Sequence, residues 1–344
     1  MTGAERFLAA ARMQPVDCTP IWFMRQAGRI LAGYRELRER YDILTLTRTP
    51  DLCAQVTLMP VRELGVDAAV LYADIMLPLI GMGVPFTIDP GVGPIIHKPL
   101  RSRADIEALR IVDPHDATPD LFEAIGMVRR ELDGRTAVIG FAGGPFTVAS
   151  YMLEGRPSRD YAHTKALLYG EPQQWHRLME TLTEVTIRYL RAQVAAGVQA
   201  VQLFDSWAGA LARDVYDEAV LPYSTRIFAA IRDSGVPTIH FGTVTAHLLE
   251  SMASAGSDVV SVDWRLPLDD AWSRIGAHGV QGNLDPTVLL ASFDVVAARA
   301  HDVLHRAAGR PGHIFNLGHG VLPESPADHL RRLVELVHAE TART

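Results

Sequence analysis

The segment PIWFMRQAGR, residues 20–29, joins a short apolar run to two arginines. Its first five residues are apolar, which is typical of a buried β-strand when turn-forming residues follow. Arg25 comes directly after the run and Arg29 four residues later, with an Ala-Gly pair between them. The segment therefore predicts a strand whose carboxyl end presents positive charge. Seven further segments repeat this succession of an apolar run and polar residues.

Eight apolar runs alternate with longer amphipathic stretches along the chain. They occupy residues 20–24, 68–73, 136–142, 200–205, 238–242, 259–264, 280–284 and 313–318. Residues 172–196 are one of the stretches between them, with apolar side chains every three or four positions and Gly197 as the stop signal. Such alternation predicts a parallel sheet covered by helices.

Two architectures fit this alternation: an open doubly wound sheet and a closed (β/α)₈ barrel. Polar residues stand at or just beyond the carboxyl ends of the predicted strands: Arg25, Asp74, Asp205, Ser206, His240, Asp263, Asn283 and His319. In a barrel these ends form one ring, so the polar groups converge on one pocket, whereas an open sheet spreads them along an edge. We therefore predict a (β/α)₈ TIM barrel of the α/β class.

The second and third runs begin 68 residues apart, which is more than one crossover helix requires. Residues 81–100 of this interval are rich in Gly and Pro, so we expect a hairpin or flap inserted between strands two and three. No flexible linker or change in composition divides the chain. Residues 1–344 are thus predicted to form a single domain.

The composition excludes several classes of protein. The chain has 33 Lys and Arg against 40 Asp and Glu, a net charge of −7, and 48% hydrophobic residues, as in ordinary globular proteins. A sequence-independent nucleic-acid binder would need a basic surface. Two cysteines cannot form a disulfide scaffold or a Cys-rich metal site. No dinucleotide or P-loop motif, long apolar run or signal-peptide pattern is present, so we expect a cytoplasmic protein.

The first motif is a candidate anion site. The guanidinium groups of Arg25 and Arg29, with Gln26 between them, can bind more than one carboxylate or phosphate. The alternative is that both arginines form salt bridges at the rim of the barrel. Two arginines beside a glycine turn at the catalytic end favour anion binding.

Asp74 follows the second run among apolar neighbours, where a carboxylate needs partners to stay charged. It either caps a helix or pairs with the arginines, or it faces the pocket as an acceptor for N–H groups. These interpretations are compatible, because adjacent arginines are expected to keep the pKa of Asp74 low.

Three further polar residues lie in glycine-rich segments that follow predicted strands. Tyr151 is expected one to two turns into a helix that begins near Pro145, after a glycine turn, and it is otherwise a half-buried aromatic residue. Ser206 is a candidate ligand group or a helix N-cap. His319 lies between two glycines, which let a backbone approach a ligand closely.

Together, PIWFMRQAGR, GFAGGPFTVASYMLEG, QLFDSWAG and NLGHGVLP resemble the uroporphyrinogen decarboxylase family over nearly the whole chain. The resemblance implies a (β/α)₈ barrel that removes CO₂ from the four acetate arms of uroporphyrinogen III and gives coproporphyrinogen III. It also implies a reaction without metal or organic cofactor, and a homodimer.

The resemblance further implies the site residues. Asp74, Arg25 and Arg29 are expected to be catalytic, with Asp74 contacting the pyrrole N–H groups. The expected substrate-binding residues are Arg25, Gln26, Ala27, Gly28, Arg29, Asp74, Tyr151, Ser206 and His319.

Two rival functions remain open at this point. A zinc-dependent methyltransferase acting on corrinoids would need a His and Cys cluster, yet no cysteine neighbours His240 in the sequence. A non-catalytic tetrapyrrole carrier would need only anion and ring contacts, and the presence of Asp74 beside the arginines favours an enzyme.

Overall fold

The computed structural model describes residues 1–28, 30–89 and 91–343. The strands in chain order are β1 (Ala68–Val70), β2 (Phe86–Asp89), β3 (Gly93–Ile96), β4 (Ala137–Gly143), β5 (Ala200–Phe204), β6 (Thr238–Phe241), β7 (Val259–Ser261), β8 (Gly279–Gln281) and β9 (His313–Ile314). Within the described residues, β1 and β4 to β9 form one curled parallel sheet in sequence order. Its strands are buried on both faces, and this explains their continuous apolar runs.

Helices cover the sheet. They are α1 (Gly3–Ala11), α2 (Ala32–Arg40), α3 (Ile43–Arg48), α4 (Pro50–Leu64), α5 (Leu79–Met82), α6 (Arg103–Glu107), α7 (Pro114–Ala117), α8 (Pro119–Leu132), α9 (Pro145–Glu154), α10 (Ala162–Gly170), α11 (Pro172–Ala196), α12 (Arg213–Ala219), α13 (Leu221–Arg232), α14 (Leu249–Ser254), α15 (Leu268–Ile275), α16 (Phe293–Ala307) and α17 (Ala327–Thr341). The predicted helix over 172–196 is confirmed as α11, and Gly197 ends it with a φ of 114°. None of the helices described is both long and apolar enough to cross a bilayer.

The first predicted strand, residues 20–24, is reduced to an isolated parallel bridge between Ile21 and Phe315. The Phe315 amide donates to the carbonyl of Pro20 at 2.8 Å, and the Asp67 amide donates to the carbonyl of Ile21 at 2.9 Å. This segment is therefore hydrogen-bonded to both edges of the sheet, beside β9 and beside β1. Pro20 has no N–H to extend the ladder toward the amino terminus, which helps to keep the pairing short.

Polar side chains are buried inside the curled sheet and are paired with one another. The indole N–H of Trp22 donates to Oε1 of Gln281 at 3.0 Å. The Gln281 amide nitrogen in turn donates to Oε1 of Gln202 and to Oγ of Ser261, each at 3.0 Å. Because buried polar groups are costly unless they are hydrogen-bonded, this chain links residue 22 to strands β5, β7 and β8.

The Gly- and Pro-rich segment between β1 and β4 contains the antiparallel pair of β2 and β3, with Phe86 opposite Ile96. The hairpin expected there is confirmed, although Pro90 lies outside the described residues. The amide of Ile96 donates to the carbonyl of Gly155 at 2.8 Å, so the hairpin is joined to the end of α9.

Candidate functional site

Arg25 lies in a tight turn after the bridge at Ile21. Its φ of 60° is in the left-handed region, which is uncommon for a residue with a side chain. The Gly28 amide closes the turn by donating to the Arg25 carbonyl at 2.9 Å. A Cβ at Gly28 would lie 2.7 Å from that oxygen, so glycine is required there. The turn leaves Arg25 exposed, and Arg29, the other predicted arginine, lies outside the described residues.

Gln26 and Ala27, which the sequence analysis placed with the substrate-binding residues, are both buried. Oε1 of Gln26 accepts from the amide of Phe23 at 3.0 Å, and Nε2 donates to the carbonyl of Ala68 at 2.9 Å. Both ends of the Gln26 side chain are therefore bound to backbone. They fix the turn that carries Arg25 against strand β1.

Asp74 follows β1 by four residues and is half-buried. One carboxylate oxygen accepts from the amide of Met76 at 2.9 Å. Burial raises the pKa of Asp74, while the Met76 amide and the positive charge of Arg25 oppose that increase. The expectation that arginines keep the pKa of Asp74 low is wrong, because removal from water outweighs the attraction of Arg25.

Tyr151 lies in α9, as predicted, and faces the same region as Arg25 and Asp74. Burial raises the pKa of its hydroxyl; the negative charge of Asp74 raises it further, and Arg25 lowers it. The hydroxyl therefore stays protonated and can act as a hydrogen-bond donor. The Tyr151 ring lies against the ring of Trp207, with the centroids 4.0 Å apart. The glycine turn expected before this helix belongs partly to β4, which continues through Gly143.

Ser206 is half-buried in the turn after β5, beside this aromatic pair. Its backbone carbonyl accepts from the hydroxyl of Thr243 at 2.6 Å. The neighbouring Asp205 is fully buried and accepts from the hydroxyl of Thr147 at 3.0 Å, and the same hydroxyl oxygen accepts from the amide of Trp207. Asp205 and Thr147 thus hold the turn after β5 against the first turn of α9.

His319 lies between two close packing contacts that its flanking glycines allow. A Cβ at Gly318 would lie 2.5 Å from the backbone nitrogen of Trp264, and one at Gly320 would lie 2.5 Å from Cδ of Arg25. The two glycines admit Trp264 and Arg25, and the close approach to a ligand that was expected of them stays a prediction.

The protonation state of His319 follows from its surroundings. Burial, together with the charges of Arg25 and Arg265, lowers the pKa of the imidazole to about 4, and the charge of Asp263 opposes this decrease. Nδ1 accepts from the Gly320 amide at 2.6 Å. The neutral ring therefore carries its proton on Nε2, where it can donate to an anion.

Three of the polar residues that were expected to converge have other functions. His240 lies within β6 and packs its ring 5.0 Å from that of Phe228, on the helix side of the sheet. Asn283 donates to the carbonyls of Asp263 and Leu266 and so fixes the loop after β7. Asp263 accepts from backbone amides and pairs with an arginine in that loop. Position at a strand end does not by itself decide which face a side chain occupies.

Two residues at the site were not predicted. Trp207 is adjacent to Ser206 in the motif QLFDSWAG, so its position after a predicted strand could have identified it as a site residue. Arg265 follows the run at 259–264, and the rule that identified Arg25 applies equally to it. Within residues 1–28, 30–89 and 91–343, no group of three His, Cys, Asp or Glu side chains is arranged to hold a metal ion.

The site thus combines a carboxylate, a guanidinium, a phenolic hydroxyl and a neutral imidazole around one opening. A carboxylate at the centre suits N–H or cationic groups, and the cationic and N–H donors around it suit anions. Such an arrangement fits a ligand with a ring of N–H groups and acidic arms.

Comparison with known proteins supports this interpretation. The family model described as uroporphyrinogen decarboxylase (URO-D) matches residues 2–340. The uroporphyrinogen decarboxylase of Sorangium cellulosum is 54% identical over 97% of this chain and 96% of its own length. That of Roseiflexus sp. is 51% identical over 98% and 99%, and that of Thermobifida fusca is 54% identical over 98% and 93%.

Among solved structures, a methyltransferase from Methanosarcina mazei has a TM-score of 0.82 and covers 99% of each chain. At 20% identity, this likeness concerns the fold alone.

Proposed function

Because the chain belongs to the uroporphyrinogen decarboxylase family, we propose that it removes CO₂ from the four acetate arms of uroporphyrinogen III, giving coproporphyrinogen III in porphyrin biosynthesis. The observation that carries this proposal is the grouping of Asp74, Arg25, Tyr151 and His319 at one opening in a chain about half identical to named uroporphyrinogen decarboxylases. The substrate has pyrrole N–H groups at its centre and carboxylates on its periphery, which matches the two kinds of group at the site.

Loss of CO₂ from an acetate arm requires an electron sink. Protonation of the attached pyrrole at carbon gives a cationic ring, which receives the electron pair when the bond between the arm and its carboxylate breaks. The methylene carbon is then protonated and becomes a methyl group, and the ring carbon releases the proton that it had accepted, which restores the neutral pyrrole. An ionised Asp74 that accepts the pyrrole N–H groups stabilises the positive charge as it develops, in a site with little water. Because this charge is largest in the transition state, Asp74 lowers the barrier more than it tightens binding.

The other residues have binding functions in this proposal. Arg25 and Arg29 bind substrate carboxylates and determine which arm is placed for reaction. Tyr151, Ser206 and His319 donate hydrogen bonds to substrate, consistent with the protonated hydroxyl of Tyr151 and the Nε2 proton of His319. Gln26 and Ala27 hold the arginine turn in place, and Gly28 permits its close approach to Arg25. The reaction uses no metal or organic cofactor.

The remaining structural expectations extend this proposal. We propose that residues 20–22 act as the eighth strand position of a single-domain (β/α)₈ barrel, with β2 and β3 as the inserted hairpin, because this segment bonds to both sheet edges. We also propose a cytoplasmic homodimer, on the basis of the family resemblance and two unpaired cysteines. Light scattering of the eluting protein would give twice the mass of one chain.

Incubation of the purified chain with uroporphyrinogen III under anaerobic conditions, followed by chromatography, tests the reaction. We expect successive loss of four CO₂ molecules. Binding of unaltered uroporphyrinogen III would instead identify a carrier, and methyl transfer with stoichiometric zinc would identify the rival methyltransferase. The variant Asp74→Asn tests the function of the Asp74 carboxylate in this reaction. Asp67→Asn is its matched control, because both variants replace a carboxylate beside β1.

A further inference from the structure

Arg265 lies at the same opening as His319 and is held in a defined position. Its Nη1 lies 2.8 Å from Oδ2 of Asp263. Its guanidinium carbon lies 4.0 Å from the centroid of the Trp264 ring, the geometry of a cation–π contact. The side chain is nevertheless 43% exposed, so part of the guanidinium-bearing side chain stays accessible beside these two contacts. Arg265 is thus an oriented cation with free surface.

The packing around His319 brings the segment that carries Arg265 close to the segment that carries His319. The Trp264 backbone packs on Gly318, while the Arg25 side chain packs on Gly320. The segment that carries Arg265 therefore lies close to Gly318 and Arg25 lies close to Gly320, and the charges of Arg25, Arg265 and Asp263 all act on the His319 imidazole. Two guanidinium groups thus lie close enough to one neutral histidine to act on its charge.

Backbone contacts also hold the loop that carries Arg265. The carboxylate of Asp263 also accepts from the backbone amides of Val244 and Arg265, and Asn283 donates to the Asp263 carbonyl. These backbone contacts fix the loop after β7 without the guanidinium. The charge of Arg265 therefore pairs with Asp263 while the side chain keeps exposed surface that can contact a ligand.

We propose that Arg265 is a second carboxylate-binding residue of the site, which receives an acidic arm of the substrate beside His319. This inference rests on the proposed function, whose substrate has eight carboxylates arranged around a ring. Two guanidinium groups near one donor histidine bind neighbouring arms and fix the rotation of the ring.

Steady-state kinetics of Arg265→Gln with uroporphyrinogen III tests the inference, with Arg310→Gln as the matched control. Arg310 also lies over a tryptophan, 4.1 Å from the Trp272 ring, but just before β9 at the other end of the strands. We expect Arg265→Gln to raise KM about three- to tenfold, the range for a partly exposed charge contact, with kcat within twofold. Arg265→Lys should recover part of the loss, and added salt should weaken wild-type binding more than variant binding.

Each other result has a defined meaning. A KM equal to that of Arg310→Gln, or a loss of kcat at unchanged KM, would overturn the inference. If the wild-type chain fails to decarboxylate, the proposed function fails, and titration with uroporphyrin III, the oxidised octacarboxylate, then decides about Arg265. Weaker binding by Arg265→Gln would keep the carboxylate site, and equal binding by both proteins would remove it.

Discussion

Asp67 and Asp74 are seven residues apart, at opposite ends of strand β1, and their surroundings differ sharply. Asp67 is 3% exposed and accepts from Nη1 of Arg6 at 2.6 Å, from Nε2 of His338 at 2.7 Å and from the amide of Ile21 at 2.8 Å. Asp74 accepts from the amide of Met76, and Arg25 attracts it only through space. The fold supplies the carboxylate of Asp67 with several hydrogen-bond donors, whereas it supplies that of Asp74 with few.

The carboxylate at one end of β1 therefore stabilises the fold, and the carboxylate at the other end belongs to the candidate site. The donors of Asp67 come from α1, α17 and the segment before β1. Its carboxylate therefore links the two ends of the chain at the amino end of β1. Asp74 keeps lone pairs for a ligand, and the fold tolerates the raised pKa that follows from its burial. A buried carboxylate with few donors is a better indicator of a site than a well-paired one.

The largest expected effect is the loss of turnover in Asp74→Asn. Removing one preorganised electrostatic group lowers kcat by about 10²- to 10³-fold, while KM and the unfolding temperature change little. Measurement of kcat with uroporphyrinogen III checks this. Turnover near that of the wild type would remove Asp74 from the mechanism.

Asp67→Asn should have the opposite phenotype. Arg6 and His338 would lose a buried partner, so the free energy of unfolding should fall by about 3 kcal/mol, as when a buried ion pair is broken. The kcat of the folded fraction should stay near the wild-type value. Urea unfolding measures the loss, and Asp17→Asn, which removes a more exposed partner of Arg6, should cost less. Equal losses of unfolding free energy in Asp67→Asn and Asp17→Asn would contradict this comparison.

Asp205 is an intermediate case, with one oxygen bound to Thr147 and the other buried without a partner in the described structure. Burial raises the pKa of Asp205 to about 7, from an ordinary value of 3.8. A raised carboxyl pKa favours the folded state at low pH, and this stabilisation is lost as pH rises toward about 7. The stability of Asp205→Asn relative to wild type should therefore increase from pH 5 to pH 7 and then level off. Thermal unfolding at several pH values measures it, and a constant difference would indicate an ordinary pKa.

The smallest expected effect concerns Arg25→Gln. The positive charge of Arg25 lowers the pKa of Asp74, so its removal should raise that pKa further and move the acidic limb of kcat/KM to higher pH. KM should also rise about tenfold, because a carboxylate contact is lost. A pH–rate profile of Arg25→Gln beside Arg310→Gln checks both effects. An unmoved limb would show that Arg25 and Asp74 are not coupled.

Much of this arrangement could be predicted from local sequence. The apolar runs identified seven strands, and periodicity gave α11 with its limits, because buried parallel strands and amphipathic helices leave patterns along the chain. Arg25, Asp74, Tyr151 and His319 were selected because each follows a strand or lies in the helix after one. The exception is the first run, where the pattern of a strand produced a single bridge at Ile21.

Other features depend on atoms that are distant in the chain. His240 follows the strand-end rule yet packs against Phe228, because the rule gives the end of a strand and not the face of a side chain. The pKa of Asp74 depends on how much of the carboxylate is buried, which no local pattern gives. The left-handed turn at Arg25 likewise depends on Gln26 reaching the carbonyl of Ala68.

The order of strands and helices, and the family to which the chain belongs, are contained in the sequence itself, since both follow from short-range patterns and motifs. Only the folded chain brings Arg25 and Arg265 near His319, and only it gives Asp67 three donors while leaving Asp74 with few. Electrostatic energy depends on distance and on exclusion of water, and these are properties of the packed molecule.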